Sequence, residues 1–272
     1  IEQGHVFDLE INVYYEQEHA SVRIVDTHTN IVQIEKNWQV IFEDKTTSLE
    51  LKADHSALIM KQIWDFSQTV DIDDVKEILD RQITCNMAIA NEGIHNSYGA
   101  NIGHVILNMD SDCVKTRAKA YAAAGSDARM NGCELPVVIN SGSGNQGITC
   151  CVPVVVYAKE LDCTQEQLYR ALVLSNLTAI YIKTGIGTLS AFCGAVSAGA
   201  AAGAGIAYLH NGTYKEIQHT IVNALAILSG TICDGAKASC AAKIASSVDA
   251  GNQLLFTLKR SWITGYTVSS EQ

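Results

Sequence analysis

The sequence predicts an α+β protein: a small N-terminal antiparallel sheet module, then a large, mostly helical domain with a buried central helix. Three observations carry this expectation. The apolar residues of the first ~45 positions alternate with period two. From about Ser48 they recur at helical spacing. The run Leu189–Leu209 carries no charge and is made mostly of Ala, Gly and Ser, as suits a helix enclosed on all sides by close neighbours.

In the sheet module, Phe7, Leu9, Ile11 and Val13 alternate with polar residues and Glu16–Glu18 interrupts the run. Val22, Ile24, Ile31, Ile34, Val40 and Phe42 then continue it. This half-buried, β-branched pattern reads as three to five strands. It sets the sheet module at 1–47, as part of a larger α+β domain, and the helical domain at 48–272. There, Asp71–Asp74 form the acidic first turn of a helix through Val75, Ile78, Leu79, Ile83 and Met87, with Gly93 as its stop. Thr164-Gln165-Glu166-Gln167 and Thr213-Tyr214-Lys215-Glu216 have the form of capping boxes. The first opens a helix through Leu168, Leu172, Leu174 and Leu177, the second a helix ending near Gly230. Helices at roughly 188–209, 214–229 and 237–258 are nearly all apolar or small, and one of them forms the centre of a bundle.

The 272 residues are 47% apolar and 18% charged, enough for a sizeable core. Net charge is −10 with Lys and Arg scattered, which argues against a nucleic-acid or anionic-membrane partner. The Ala/Gly/Ser run gains little from lipid and lacks flanking aromatic–basic anchors, so no membrane span is expected. The nine cysteines form no disulfide scaffold, and no signal peptide is seen. A reducing cytoplasm is the expected compartment, with most thiols serving as small core residues. The chain begins at Ile1 rather than Met, as a processed or partial chain would.

Four groups of residues could carry chemistry. Asn140-Ser141-Gly142-Ser143-Gly144-Asn145-Gln146-Gly147 reads as a loop whose backbone N–H groups can approach an anion, or as a polar turn between two apolar segments. It lacks the Lys of a phosphate loop and the spacing of a dinucleotide fingerprint. Cys193, Cys233 and Cys240 lie in or at the ends of small-residue helices, where a metal or cluster could be held. Their spacings match no zinc-finger pattern, and core cysteines are the competing reading. Arg129, in Ser126-Asp127-Ala128-Arg129-Met130, could clasp a carboxylate or form a surface ion pair. His28 and Asn30, in the polar turn Thr27–Asn30, offer a base and a ligand, or a structural turn.

Together these motifs resemble the L-cysteine desulfidase family, the serine dehydratase-like alpha-chain proteins. THTNIV (27–32), the segment around Cys85-Asn86, SDARM followed by LPVVINSGSGNQGI, LSAFCGA and ICDGAKASCA occur in the family's order over roughly residues 5 to 255. The resemblance implies a [4Fe–4S] cluster on Cys193, Cys233 and Cys240, with one iron open, and no pyridoxal phosphate. It implies that Ser141 to Gly147 line the substrate pocket. Ser143, Asn145 and His28 are the expected catalytic residues. Asn30, Arg129, Ser141, Gly142, Gly144, Gln146 and Gly147 are the expected substrate contacts. The implied reaction converts L-cysteine to pyruvate, ammonia and sulfide, with L-serine dehydration as the alternative. The family's leading Gly-Cys-Thr-Glu-Pro segment is not matched here, so the chain is also expected to be a fragment or a diverged copy. A non-catalytic cluster- or substrate-binding subunit is the reading of another class, and a plain helical protein with core cysteines a third. A homodimer is expected from the apolar helices.

Overall fold

A computed structural model describes residues 8–25, 30–44, 57–187 and 190–258. The chain divides into two compact units, Ile1–Asp54 and His55–Gln272.

The first unit is an antiparallel meander of four strands in the order β1-β2-β3-β4: β1 (Asp8–Tyr15), β2 (Glu18–Val25), β3 (Ile31–Lys36) and β4 (Gln39–Glu43). Leu9 faces Ile24, Ile11 faces Val22 and Val13 faces Ala20, so the alternation seen in the sequence forms one apolar face. The β3–β4 turn places Asn37 and Trp38 at φ 51° and 67°, the positive values that a tight two-residue hairpin needs. Asn37 also fixes β2, its Oδ1 accepting the His19 N–H at 2.8 Å, while Trp38 stacks on His19.

The second unit contains nine helices among the described residues: α1 (Met60–Thr69), α2 (Ile72–His95), α3 (Ile102–Met109), α4 (Val114–Met130), α5 (Gly144–Glu160), α6 (Gln165–Ile186), α7 (Gly194–Leu209), α8 (Tyr214–Ile227) and α9 (Ser239–Leu258). Both capping boxes form, with Thr164 and Thr213 side chains accepting the N3 backbone N–H and Gln167 and Glu216 reaching back. α7 is the central helix. Almost every residue in it is buried, and α5, α6, α8 and α9 surround it. Its composition explains the close packing: a Cβ on Gly203 would lie 2.9 Å from the Cα of Gly251 on α9. α4 forms the neighbouring layer, packed on α2, α3, α5 and α9.

Two sequence expectations shift. Gly93 does not stop α2, which continues to His95. Its missing side chain lets α4 approach, since a Cβ there would stand 2.1 Å from the Ala124 carbonyl oxygen. The central helix starts at Gly194 rather than near 188, because Phe192 is extended and bridged to Ile232. Among the described residues no helix is long and apolar enough to cross a membrane.

Candidate functional site

The glycine-rich stretch is a turn followed by a helix start, not an open loop. Asn140 and Ser143 exchange two backbone hydrogen bonds, of 3.1 and 3.0 Å. Ser141 and Gly142 between them have φ 47° and 75°, as a type I′ turn requires. Ser143 caps α5, its hydroxyl accepting the Gln146 N–H at 3.4 Å. Gly144, Asn145, Gln146 and Gly147 are therefore the first turn of a 17-residue helix, where unpaired N–H groups and the helix dipole favour an anion. The preceding Leu135–Ile139 stretch is not buried as a unit: Leu135 and Ile139 are exposed. Asn86 of α2 anchors it by gripping both Val138 N and Val138 O, at 2.9 and 3.1 Å.

A polar network lies behind the turn. Gln82 of α2 and Asn176 of α6 exchange amide hydrogen bonds of 2.9 and 2.8 Å. The Asn140 side chain donates to Asn176 Oδ1 at 3.0 Å, and the Cys150 thiol reaches the same oxygen at 3.3 Å. Burial pushes the Cys150 thiol up to about 12, so it serves here as a neutral hydrogen-bond donor. A cavity of about 260 Å³ beside the network touches Asn140, Ser141 and Asn176. Arg129, Asn145 and the three candidate cysteines do not line it.

Arg129 comes from the last turn of α4 and reaches the start of α5. It is half-buried. Among the described residues its polar contacts are Asn145 Oδ1 at 3.4 Å and the Met130 sulfur at 3.9 Å, with no carboxylate. The ion-pair reading is thus set aside. Burial lowers the Arg129 guanidinium from its ordinary range, opposed by the Cys240 thiol nearby. Gly144 makes room for it, because a Cβ there would lie 2.2 Å from Arg129 Nε.

The N-terminus of α7 meets the same place. Gly194, its first residue, lies against Gln146, whose amide would sit 2.7 Å from a Cβ at that position. Gln146 is buried, and its Oε1 has no hydrogen-bond partner among the described residues. Cys193 is the N-cap residue of α7 rather than a residue inside the helix. Its N–H donates to Thr231 O at 3.3 Å, and the Cys233 N–H donates to Ala191 O at 2.7 Å, on either side of the Phe192–Ile232 bridge. Alternation along such paired segments turns Cys193 and Cys233 to the face opposite Phe192 and Ile232. Both thiols act on Lys183 of α6, whose ammonium burial holds below its usual range. Cys240 lies in the first turn of α9, with Lys243 one turn on. The three cysteines are free, Cys193 buried, Cys240 half-buried and Cys233 exposed.

Arg129, Asn145, Gln146, Cys193 and Cys240 thus converge where α4, α5, α7 and α9 meet. His28 lies outside the described residues. Asn30 belongs to the sheet unit, where its side chain donates to Val25 O, at the end of β2, at 3.0 Å. Sequence reasoning missed Gln82, Asn176, Lys183 and Lys243. For Gln82 the signal was present: with Asn86 it forms an i, i+4 polar pair on an apolar helix.

The family model described as serine dehydratase alpha chain matches residues 11–261. The chain belongs to that family. Similar to this serine dehydratase alpha-chain member are UPF0597 proteins of Desulfitobacterium hafniense, 56% identical over 90% of this chain and 58% of that protein, and of Lachnoclostridium phytofermentans, 56% identical over 84% and 55%. A UPF0597 protein of Finegoldia magna is 50% identical over 90% of this chain and 59% of its own. This member of the serine dehydratase alpha-chain family spans less than two thirds of the length of these relatives, whose names state no substrate or reaction. No solved structure matches it.

Proposed function

We propose that the chain forms the substrate-carboxylate pole and the thiolate set of a cluster-dependent amino-acid lyase, which eliminates hydrogen sulfide from L-cysteine. The observation that carries this reading is the convergence of two helix N-termini, α5 and α7, on a Gln146 Oε1 that has no partner among the described residues, beside an Arg129 that no carboxylate of those residues neutralises. Such a place favours a ligand with a carboxylate and an ammonium or hydroxyl: cation and helix start for the anion, an amide oxygen for a donor. Membership of the serine dehydratase alpha-chain family supports the reaction class.

The residues also suit an iron–sulfur group in their donors and surroundings. Three thiols stand at the N-termini of α7 and α9 and in the connector between α8 and α9, with Lys183 and Lys243 facing them, and cations and backbone N–H groups favour thiolates. Among the described residues no three His, Cys, Asp or Glu side chains are already gathered to hold a metal ion, so the match is one of donor chemistry and placement. A [4Fe–4S] cluster on Cys193, Cys233 and Cys240 would supply a Lewis acid for the departing thiol. The chain's own part is to fix the substrate. Arg129 and the α5 N–H groups hold the carboxylate and accept the charge that spreads into it as the α-proton leaves. Asn145 orients Arg129, and Ser143 fixes the helix start. Loss of the α-proton and of hydrosulfide leaves aminoacrylate, which water converts to pyruvate and ammonia. The reading places the enzyme in a reducing cytoplasm.

The test is product analysis under anaerobic conditions after loading with iron and sulfide. Sulfide and pyruvate released in equal amounts from L-cysteine, faster than pyruvate from L-serine, support the proposal. Preference for L-serine would replace the desulfidase reading by the dehydratase one. Substrate binding with no pyruvate from either amino acid would overturn the lyase reading in favour of a binding subunit.

A further inference from the structure

Beyond its charge beside the thiols, Lys243 makes contacts that reach the connector carrying Cys233. It lies on α9 three residues after Cys240, so both occupy one side of that helix. Its Nζ donates to Ile232 O at 3.2 Å and pairs with Asp234. Ile232 is the residue bridged to Phe192, between the hydrogen bonds Cys193 N–H to Thr231 O and Cys233 N–H to Ala191 O, which leave Cys193 and Cys233 on one face, diagonal across the bridge. Asp234 is itself held by Lys237 at 2.9 Å and by the Ser239 hydroxyl, at 3.4 Å to Oδ2. The connector from Thr231 to Lys237 has no helix or ladder of its own beyond that single bridge.

We infer that Lys243 is a positioning residue, a latch that ties the Cys233-bearing connector to α9 and so holds Cys193, Cys233 and Cys240 in one register. This deepens the proposed function, since it gives the latch a purpose only if those thiols act together. A one-sided contact would fix Cys233 against Cys240 alone. The grip on Ile232 O reaches the bridge and therefore Cys193 as well. The thiols of Cys193 and Cys240 both act on the same ammonium, which fits its place among them. Lys243 reaches no substrate in this role. It sets where the ligands stand.

The test is thiol cross-linking of the iron-free protein with dibromobimane, which fluoresces when it joins two neighbouring thiols, with the joined peptides identified by mass spectrometry. Wild type forms a Cys193–Cys233 cross-link. Lys243→Met slows it about tenfold, the loss of a hydrogen bond to a charged group, and Lys243→Arg restores it. Asp234→Asn removes one end of the latch at the surface, keeps the fold, and gives an intermediate rate. An unchanged rate in Lys243→Met and Asp234→Asn, or no Cys193–Cys233 product in wild type, overturns the latch. Iron uptake by wild type is measured separately, so the two readings fail independently. Lys243-dependent cross-linking with no iron uptake sustains the latch and removes the ligand reading; unchanged cross-linking with full uptake does the reverse.

Discussion

Replacing Arg129 by Met should separate binding from stability, because this guanidinium is costly to the fold and useful to a ligand. It is half-buried, its polar contacts among the described residues are the 3.4 Å bond to Asn145 and a sulfur contact at 3.9 Å, and burial disfavours its charge. Methionine keeps most of the stem and removes the charge. The long bond is worth about 0.5–1 kcal/mol, and the relief of burying an uncompensated cation offsets it, so unfolding free energy should change by less than about 1 kcal/mol. A carboxylate bound there loses a charge-assisted pair worth about 1.5–3 kcal/mol, a 10- to 150-fold weakening. Calorimetric titration with L-cysteine under reducing conditions reads the second effect, and urea unfolding reads the first. Cysteamine, which lacks the carboxylate, serves as the control: wild type should prefer L-cysteine and Arg129→Met should not. A variant that binds L-cysteine as wild type does, or that loses more than about 3 kcal/mol of stability without a change in binding, would refute the reasoning.

Other outcomes follow from the same geometry. Asn176→Leu removes both amide hydrogen bonds of the buried Gln82, while Asn140 Nδ2 keeps the Asn176 backbone carbonyl and the Cys150 thiol keeps Gly147 O, so urea unfolding should show a loss of about 1–3 kcal/mol, and less than about 0.5 kcal/mol would mean the network contributes little. Lys243 and Lys237 hold the Asp234 carboxyl well below its ordinary range. A depressed carboxylate stabilises above its unfolded pKa of about 3.9 and loses that contribution as pH falls through the lower folded value. Protection of 231–237 against hydrogen exchange, taken relative to the exchange rate of unstructured chain at the same pH, should therefore hold at pH 5 and fall in stronger acid, and Asp234→Asn should abolish the change; protection that grows on acidification contradicts this. Iodoacetamide should modify the exposed Cys233 in the native protein and spare Cys150 and Cys151, whose thiols burial raises. Peptide mapping that finds the buried pair modified first would contradict the packing of α5.

What could be read in the sequence was what neighbouring residues decide. The capping boxes at Thr164 and Thr213, the alternation from Leu9 to Phe42 and the uncharged run of α7 depend on contacts within a few residues or on composition, and they appear where the spacing put them, save that α7 begins at Gly194. The glycines misled for the opposite reason. Gly93 and Gly144 are small because Ala124 and Arg129 approach them from other elements, and no local pattern reports a distant neighbour. The candidate site was legible as a set of residue types, with Arg129, Asn145, Gln146 and two of the cysteines brought together. Its supports were not. Gln82 and Asn176 meet across 94 positions, and Lys243 looks like any half-exposed lysine until the Phe192–Ile232 bridge shows what it holds.

The most direct test of the central claim is visible absorbance after anaerobic loading with iron and sulfide, in wild type and in Cys193→Ala, Cys233→Ala and Cys240→Ala. The account predicts a broad thiolate–iron band near ~400 nm in wild type, perturbed by L-cysteine and lost in each single variant. A full-strength band in any of the three variants, or a band indifferent to L-cysteine, would contradict it.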